Sequence, residues 1–270
     1  MRVMGIVNVT PDSFSDGGEF FDHERAIGHG LELVRDGADV LDIGGESTRP
    51  GADEVSVQEE LRRVIPVVEG LAGEAPISID TTKAEVAQAA IKAGAKIVND
   101  VTALRGDPDM AGVCAGSGVE VILMHMLGTP RTMQNDPRYG NVVDEVEEFL
   151  AVQVGIAEAA GIARERIWID PGIGFGKTVE HNLKLIQATG RFAAMKLPVL
   201  VGASRKAFIG KLAGGAPESR RLGGTIAACL AAMEGGAEMV RVHDVAPVVQ
   251  AIRVASAIGP VRGGPADGHR

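Results

Sequence analysis

Eight short apolar runs recur along the chain, and each of them ends in polar or charged residues. A continuous apolar run of about four to eight residues is typical of a strand that is buried on both faces. In a parallel barrel the C-terminal ends of all strands lie on one rim. The pattern therefore predicts that the polar ends meet in a single enzyme pocket. The runs and their endings are VMGIVN, VLDIGGESTRP, ISID, IVND, VILMH, IWIDPG, VLVGASRK and MVRVHD.

The segments between these runs predict helices, and glycine marks the ends of several of them. A glycine followed by a small or branched residue precedes five of the runs, at Gly37, Gly94, Gly118, Gly161 and Gly236. Glycine readily adopts the left-handed conformation that ends a helix. Repeated helix–glycine–strand units predict right-handed crossovers and a parallel sheet. A doubly wound open sheet also fits this alternation, but eight units in 270 residues favour an α/β fold of the (β/α)8 TIM barrel type.

A single-domain barrel is predicted for residues 1-258, and the glycine-rich segment 259-270 is predicted to be a disordered tail. Ser56 and Thr82 are each followed three residues later by glutamate, which is a capping-box pattern and predicts helix starts. Pro66 is expected to kink or interrupt its helix. Three longer polar connections follow strand ends, where barrel enzymes carry substrate loops. They span residues 10–22, 46–55 and 126–141.

Composition narrows the range of partners. The net charge of -9 and the pI near 5.2 argue against a nucleic-acid or anionic-membrane partner. Aromatic residues at 3% leave few platforms for stacking single-stranded bases. No apolar run approaches the ~18 residues of a membrane span. Cys114 and Cys229 form no metal-type spacing; we expect both to be buried packing residues in a cytoplasmic protein.

Basic and hydroxyl side chains follow strands two, seven and eight. Their concentration on one rim of an acidic protein predicts a small anionic substrate, and phosphate is commonly held after strands seven and eight of a barrel. For Arg205, an outward-facing salt bridge is an equally good interpretation. The predicted anion-binding set is Thr48, Arg49, Ser204, Arg205, Lys206, Arg241 and His243.

Carboxylates and an amide end three other strands, at Asp80, Asn99 and Asp170. A buried carboxylate is costly unless donors pair with it. Those donors could be the adjacent NH and NH2 groups of a heterocyclic ligand, or the side chains of an internal Arg or Lys network. Asp42 lies within its strand and is expected to be structural, while Asp100 is left open. His125 is expected to be a hydrogen-bonded core residue rather than a catalyst.

The first strand end adds a candidate metal site. Asn8 is a neutral oxygen ligand suited to Mg2+ that bridges phosphates. Asp12 could contact the metal, the leaving group or a developing cation. The segment NVTPDSFSDGG could instead be an ordinary turn-rich loop.

Taken in order, the motifs resemble those of the dihydropteroate synthase family of folate biosynthesis. The resemblance runs from Val3 to about Val254, and eight ordered motifs are far more specific than any one of them. It implies a (β/α)8 barrel that condenses 7,8-dihydropterin-6-ylmethyl diphosphate with p-aminobenzoate, releasing diphosphate and 7,8-dihydropteroate. The motifs are MGIVNVTPDSFSDGG, DIGGESTRPGA, ISIDTTKAEV, NDV, LMHM-GTP-TMQ, DPGIGFGK, LVGASRK and RVHDV.

The resemblance also implies a role for each matching residue and, since the family is usually dimeric, a homodimer. Asp12, Arg49 and Lys206 would be catalytic, and Asn8 would ligate Mg2+. The pterin would be bound by Asp80, Asn99, Met124, Asp170, Phe175, Gly202 and Lys206; the diphosphate by Asn8, Thr48, Arg49, Arg241 and His243; and p-aminobenzoate by Pro50, Phe175 and Ser204.

The family mechanism is dissociative: diphosphate leaves, a pterin-methyl cation forms, and the aniline nitrogen attacks it. Such chemistry requires leaving-group stabilisation, positioning and exclusion of water. Two alternatives remain. A pterin-dependent methyltransferase with a corrinoid partner would need no diphosphate clamp, and the SRK and TPDSFSDGG motifs argue against it. A non-catalytic pterin-binding paralogue would not need Asn8, Asp12, Arg49, Lys206, Arg241 and His243.

Overall fold

The computed structural model describes residues 1–10, 18–48 and 51–259, with the backbone alone for residues 18–22. Eight parallel strands form one sheet in the order β6-β5-β4-β3-β2-β1-β8-β7. An isolated parallel bridge between Ile169 and Val199 joins the two outer strands and closes the sheet. The predicted (β/α)8 TIM barrel is confirmed. The strands are β1 Arg2–Asn8, β2 Val40–Gly44, β3 Ile77–Asp80, β4 Ile97–Asp100, β5 Glu120–Met124, β6 Ile167–Asp170, β7 Leu200–Val201 and β8 Met239–Val242.

Helices alternate with the strands and cover the outside of the barrel. The five glycines expected to end helices all have positive φ, between 68° and 126°, so that prediction is confirmed. The helices are α1 Gly18–Arg35, α2 Val57–Leu71, α3 Ala84–Ala93, α4 Met110–Ser117, α5 Val142–Ala159, α6 Val179–Gln187, α7 Thr189–Ala193, α8 Ala207–Leu212, α9 Leu222–Glu234 and α10 Val245–Ile258.

Several local predictions need correction. Thr82 does not cap α3, because the helix begins at Ala84 and its first amide donates to Asp107 Oδ2 at 2.9 Å. A distant carboxylate thus replaces the local cap. Pro66 lies inside α2 without interrupting it. The first predicted loop is too long, since residues 18–22 are already helical. In contrast, Ser56 Oγ accepts the Glu59 amide as predicted.

The lower half of the barrel interior is filled by apolar side chains, one from each of seven strands. They are Met4, Val40, Ile97, Ile122, Trp168, Leu200 and Met239. Because side chains two residues apart in a strand share a face, the next inward position of each strand lies one layer higher. At that layer β1 continues with the apolar Ile6, while the other six strands supply Asp42, Asn99, Met124, Asp170, Gly202 and Arg241. The polar layer on top of the apolar core is the floor of the candidate site.

The bounds of the predicted domain stay a prediction. Helix α10 ends at Ile258, close to the predicted limit, and residues 260–270 of the predicted tail lie outside the described residues. In the described part of the chain, every helix is too short or too polar to cross a bilayer.

Candidate active site

Arg241 lies at the centre of the polar layer and is held by two carboxylates. Its Nε donates to Asp42 Oδ2 at 2.5 Å, and its second guanidinium nitrogen donates to Asp80 Oδ2 at 2.8 Å. Asp42 is fully buried, while the Arg241 side chain is partly exposed to solvent. The two carboxylates raise the pKa of Arg241 against the effect of burial. The structural role expected for Asp42 is therefore to fix this arginine.

Asp80 and Asn99 are neighbours across the β3–β4 pairing and are both nearly inaccessible to solvent. Asn99 Nδ2 donates to Asp42 Oδ2 at 3.2 Å, so one buried carboxylate links Asn99 to Arg241. Burial raises the pKa of Asp80 to about 7, while the Arg241 guanidinium opposes that increase. The internal Asp–Arg network considered from the sequence is present in the structure.

Asp170 ends β6, and its carboxylate shapes the loop that follows. Asp170 Oδ1 accepts the amide of Gly172 at 2.7 Å. Burial raises the pKa of Asp170, and the Gly172 amide and the nearby ammonium of Lys206 oppose that increase. Gly202 faces this carboxylate, since a methyl group built on it would lie 3.9 Å from Asp170 Oδ2 and 3.8 Å from Arg241. The absence of a side chain at Gly202 keeps the space between these two groups open.

Lys206 follows β7 and reaches across to the loop after β6. Its Nζ donates to the carbonyl oxygen of Ile173 and lies 4.1 Å from the centroid of the Phe175 ring. Burial lowers the pKa of Lys206 to about 7, and Asp170 opposes the decrease. Phe175 also packs against a cluster that contains Met124. Four predicted pterin-binding residues therefore form one wall of the pocket, which is part apolar and part charged: Met124, Asp170, Phe175 and Lys206.

Ser204 and His243 contact each other where β7 and β8 end. Ser204 Oγ lies 3.0 Å from His243 Nδ1 and accepts the backbone amide of His243 at 3.1 Å. His243 and Asp244 are adjacent in sequence and could form an orienting pair, but Asp244 forms a two-point ion pair with Arg205 instead, at 2.8 and 2.5 Å. The salt-bridge interpretation of Arg205 is confirmed.

The first two strand ends are adjacent, as predicted. Asn8 is paired in register with Gly44, and both Asn8 and Thr48 are half-buried at this side of the rim. Three predicted site residues, Asp12, Arg49 and Pro50, lie outside the described residues, and their roles stay predictions.

A charge cluster holds the base of the loop between β2 and α2. Lys83 Nζ donates to Glu46 and, at 2.6 Å, to the fully buried Glu60. Glu46 also accepts the amide of Val55 at 3.3 Å, which ties the two ends of the predicted loop 46–55 together. The cluster thus supports the loop that carries Thr48.

Lys177 is a buried residue that sequence reasoning missed. Its Nζ lies 2.9 Å from His125 Nδ1 and also contacts the carbonyl oxygen of Phe175 at 2.9 Å. Burial and the ammonium of Lys177 lower the pKa of His125 to about 2, so its imidazole is neutral. The core role expected for His125 is confirmed. The only signal for Lys177 was its place in the DPGIGFGK motif, which says nothing about burial.

The arrangement favours binding and electrostatic stabilisation over covalent catalysis. Asp80, Asn99 and Asp170 offer acceptors beside two cations, Lys206 and Arg241. Such a set suits a flat heterocycle with a donor edge and a carbonyl. The contact between Ser204 and His243 does not extend to a catalytic triad with Asp244, because that carboxylate is paired with Arg205.

Known proteins resemble this chain over nearly its whole length. The family model described as pterin binding enzyme matches residues 4–243. Dihydropteroate synthase of Escherichia coli (strain K12) is 49% identical over 258 residues, which cover 95% of this chain and 91% of that protein. The dihydropteroate synthase of Synechocystis is 48% identical, again over 258 residues, with coverages of 95% and 89%.

Solved structures agree with these sequence relatives. Xanthomonas albilineans dihydropteroate synthase with 4-aminobenzoic acid superposes with a TM-score of 0.91 at 51% identity, covering 96% of this chain and 93% of that chain. The same enzyme in complex with 7,8-dihydropteroate gives a TM-score of 0.87 at 47% identity, with coverages of 96% and 94%. The chain therefore belongs to the dihydropteroate synthases, a family of transferases among the pterin binding enzymes.

Proposed function

We propose that this protein condenses 7,8-dihydropterin-6-ylmethyl diphosphate with p-aminobenzoate, forming 7,8-dihydropteroate and diphosphate. The observation that carries the proposal is that Asp80, Asn99 and Asp170 are buried at the ends of three barrel strands, with Lys206 near Asp170. The two relatives solved with 4-aminobenzoic acid and with 7,8-dihydropteroate support the same substrates.

The pterin ring is assigned to this polar layer. Its amino and ring NH groups would donate to Asp80, Asn99 and Asp170, while its carbonyl would accept from Lys206. Burial raises the pKa values of Asp80 and Asp170, because a buried carboxylate is costly without hydrogen-bond donors. NH groups of the ligand would donate to the two carboxylates, stabilise their charged form and so lower both pKa values. Met124, Phe175 and the space above Gly202 would contact the ring itself.

The diphosphate is assigned to the neighbouring rim, where the side chains of Thr48, Arg241 and His243 are exposed in part. Arg49, which lies outside the described residues, is assigned to the diphosphate by resemblance alone. Leaving-group charge would be stabilised there by the guanidinium groups. The aniline of p-aminobenzoate would then attack the pterin-methyl cation from the side of Ser204, Phe175 and Pro50. No covalent enzyme intermediate is needed.

Mg2+ fits this site as an ion carried by the diphosphate. Among the described residues no group of three His, Cys, Asp or Glu side chains could hold a metal alone. Mg2+ usually keeps several waters and binds through one or two protein ligands plus substrate phosphates. The carboxamide oxygen of Asn8 would be one such ligand, and the bound ion would offset diphosphate charge.

The test is diphosphate release by the purified protein. We expect release when the pterin diphosphate, p-aminobenzoate and Mg2+ are all present, and its loss when any one is left out or EDTA is added. Absence of release with saturating substrates would contradict the proposal. Pterin binding without release would instead identify a non-catalytic paralogue, and the boiled protein is the control for spontaneous hydrolysis.

We further propose a cytosolic homodimer. Cys114 and Cys229 are free and buried, and burial raises the pKa of each thiol to about 12, which suits a reducing compartment. Large apolar side chains are exposed on several of the outer helices, as dimer interfaces require. They include Val152, Ile156, Leu183, Leu212, Val254 and Ile258.

The dimer prediction is checked by mass in solution. Light scattering after size-exclusion chromatography should give twice the chain mass of 28.1 kDa at micromolar concentration. A single-chain mass at that concentration would contradict it.

A further inference from the structure

The loop after β6, residues 171–177, is held by its own Lys177 and by three side chains from other parts of the fold. Four consecutive carbonyl groups in it each accept from a different side chain. Lys206 donates to Ile173, Gln134 to Gly174 at 2.6 Å, Lys177 to Phe175 at 2.9 Å and Tyr139 to Gly176 at 2.9 Å. A loop braced at four successive residues has little freedom to move.

Glycine geometry brings this loop close to its neighbours. Gly172, Gly174 and Gly176 all have positive φ, between 66° and 84°. A methyl group on Gly172 would lie 1.9 Å from the carbonyl oxygen of His125, and one on Gly174 would lie 2.7 Å from the Lys206 side chain. The loop therefore lies directly against the end of β5 on one side and against Lys206 on the other.

Lys177 ties the loop to the end of β5. Its Nζ lies 2.9 Å from His125 Nδ1 and donates to the carbonyl oxygens of His125 at 3.4 Å and of Phe175 at 2.9 Å. The residue is nearly inaccessible to solvent, and this burial lowers the pKa of Lys177 well below its ordinary value. Nothing in this arrangement leaves Lys177 available to contact a substrate directly.

The loop in turn positions groups that face the pocket. The Ile173 carbonyl accepts from Lys206, and the Phe175 ring lies under the same ammonium. Lys177 holds the carbonyl of that same Phe175. A shift of the loop would therefore displace both the ring and the lysine on which the proposed pterin contact depends.

We propose that Lys177, assisted by Tyr139, is a positioning residue for pterin binding, which acts by fixing Phe175 and the Ile173 carbonyl and so the place of Lys206. The inference rests on the proposed function and extends it to a residue that does not touch the substrate. A solely structural Lys177 would stabilise the barrel but leave the pterin affinity of the folded protein unchanged.

The first experiment compares Lys177→Met with Lys184→Met, an exposed lysine on α6 that serves as the matched control. For Lys177→Met we expect the KM for the pterin diphosphate to rise about tenfold, with kcat changed by less than about threefold, because misplaced binding groups weaken ground-state binding. Lys184→Met should leave both constants unchanged. Equal pterin KM values in folded Lys177→Met and wild type would overturn the proposal.

A double-mutant cycle separates positioning from general stability. If Lys177 acts through Lys206, Lys177→Met should raise the pterin dissociation constant less than about twofold in a Lys206→Met background. Additive effects of the two substitutions would overturn the proposal. An inactive wild type that also fails to bind pterin would instead contradict the proposed function, so the two failures are distinguishable.

Tyr139→Phe keeps the test decisive if Lys177→Met does not fold. This change removes one hydroxyl and frees the Gly176 carbonyl while keeping the ring. We expect the pterin KM to rise about threefold with an unchanged melting temperature. An unchanged pterin KM in Tyr139→Phe, combined with an unfolded Lys177→Met, would make Lys177 a stability residue and overturn the proposal.

Discussion

Replacing Arg241 with methionine is expected to lower the rate of diphosphate release by about a hundred- to a thousand-fold. It should also lower the free energy of unfolding by about 3–5 kcal/mol, because removal of one partner leaves buried charge uncompensated. The fully buried Asp42 and the nearly buried Asp80 both depend on this guanidinium. Urea unfolding and the release assay measure the two losses on the same sample.

Two further variants show whether the proposed cause is correct. Arg253→Met changes an exposed arginine on α10 in the same way and should alter neither quantity. Asp42→Asn, added to Arg241→Met, removes the carboxylate left without its partner and should restore about 1 kcal/mol or more of stability without restoring turnover. If the double variant is no more stable than Arg241→Met alone, an unpaired Asp42 is not the reason for the loss.

The barrel and much of its polar floor could be predicted because both follow from one short-range rule. Residues two apart in a strand share a face. A polar residue two positions after an inward-facing residue therefore also points into the barrel. Asp80, Asn99, Asp170 and Arg241 were found in this way. Because the strands are parallel, closure of the sheet into a barrel places all their C-terminal ends on one rim, and these side chains therefore lie close together.

Contacts that depend on the folded chain could not be predicted in that way. Asp107 caps α3 in place of Thr82 from 23 residues away, and capping patterns describe only neighbours in sequence. Lys177 is buried because Gly172 lets the backbone approach His125, a distance that no spacing encodes. Asp244 likewise pairs with Arg205 rather than with the adjacent His243.

The resemblance contributed what patterns could not, namely the division of the rim into substrate subsites. Asn8 ends β1 and Thr48 follows the adjacent strand β2, and their assignment to the diphosphate stays a prediction. The side chains of Asp12, Arg49 and Pro50 are assigned by resemblance alone.

Replacing Lys206 with methionine is expected to weaken pterin binding about a hundred-fold or more, since the ring carbonyl would lose a charged donor in a buried site. Asp170→Ala should cause a comparable loss, because ring NH groups would lose their acceptor. Both proteins should remain folded by circular dichroism, and calorimetric titration with the pterin diphosphate measures the affinities. Normal pterin binding by both variants would contradict the site assignment.

The pKa of Lys206 supplies a sharper version of the same prediction. Burial lowers this pKa to about 7, so before substrate binds the amine is mostly neutral at pH 8. A carbonyl acceptor favours the ammonium form, so pterin binding raises the pKa of Lys206 and takes up a proton at pH 8. Asp80, whose pKa is about 7, is already mostly ionised at that pH and contributes little.

Proton uptake is measured by calorimetric titration in two buffers that differ in ionisation enthalpy. Wild type should bind the pterin diphosphate with net uptake at pH 8, and its affinity should fall as the pH rises from 7 to 9. Below pH 7, ligand donors would instead favour the Asp80 carboxylate and release a proton, so the sign of the exchange should reverse. Lys206→Met should retain the release at low pH and lose the uptake at pH 8. Equal uptake by the two proteins would show that another group holds the pterin carbonyl.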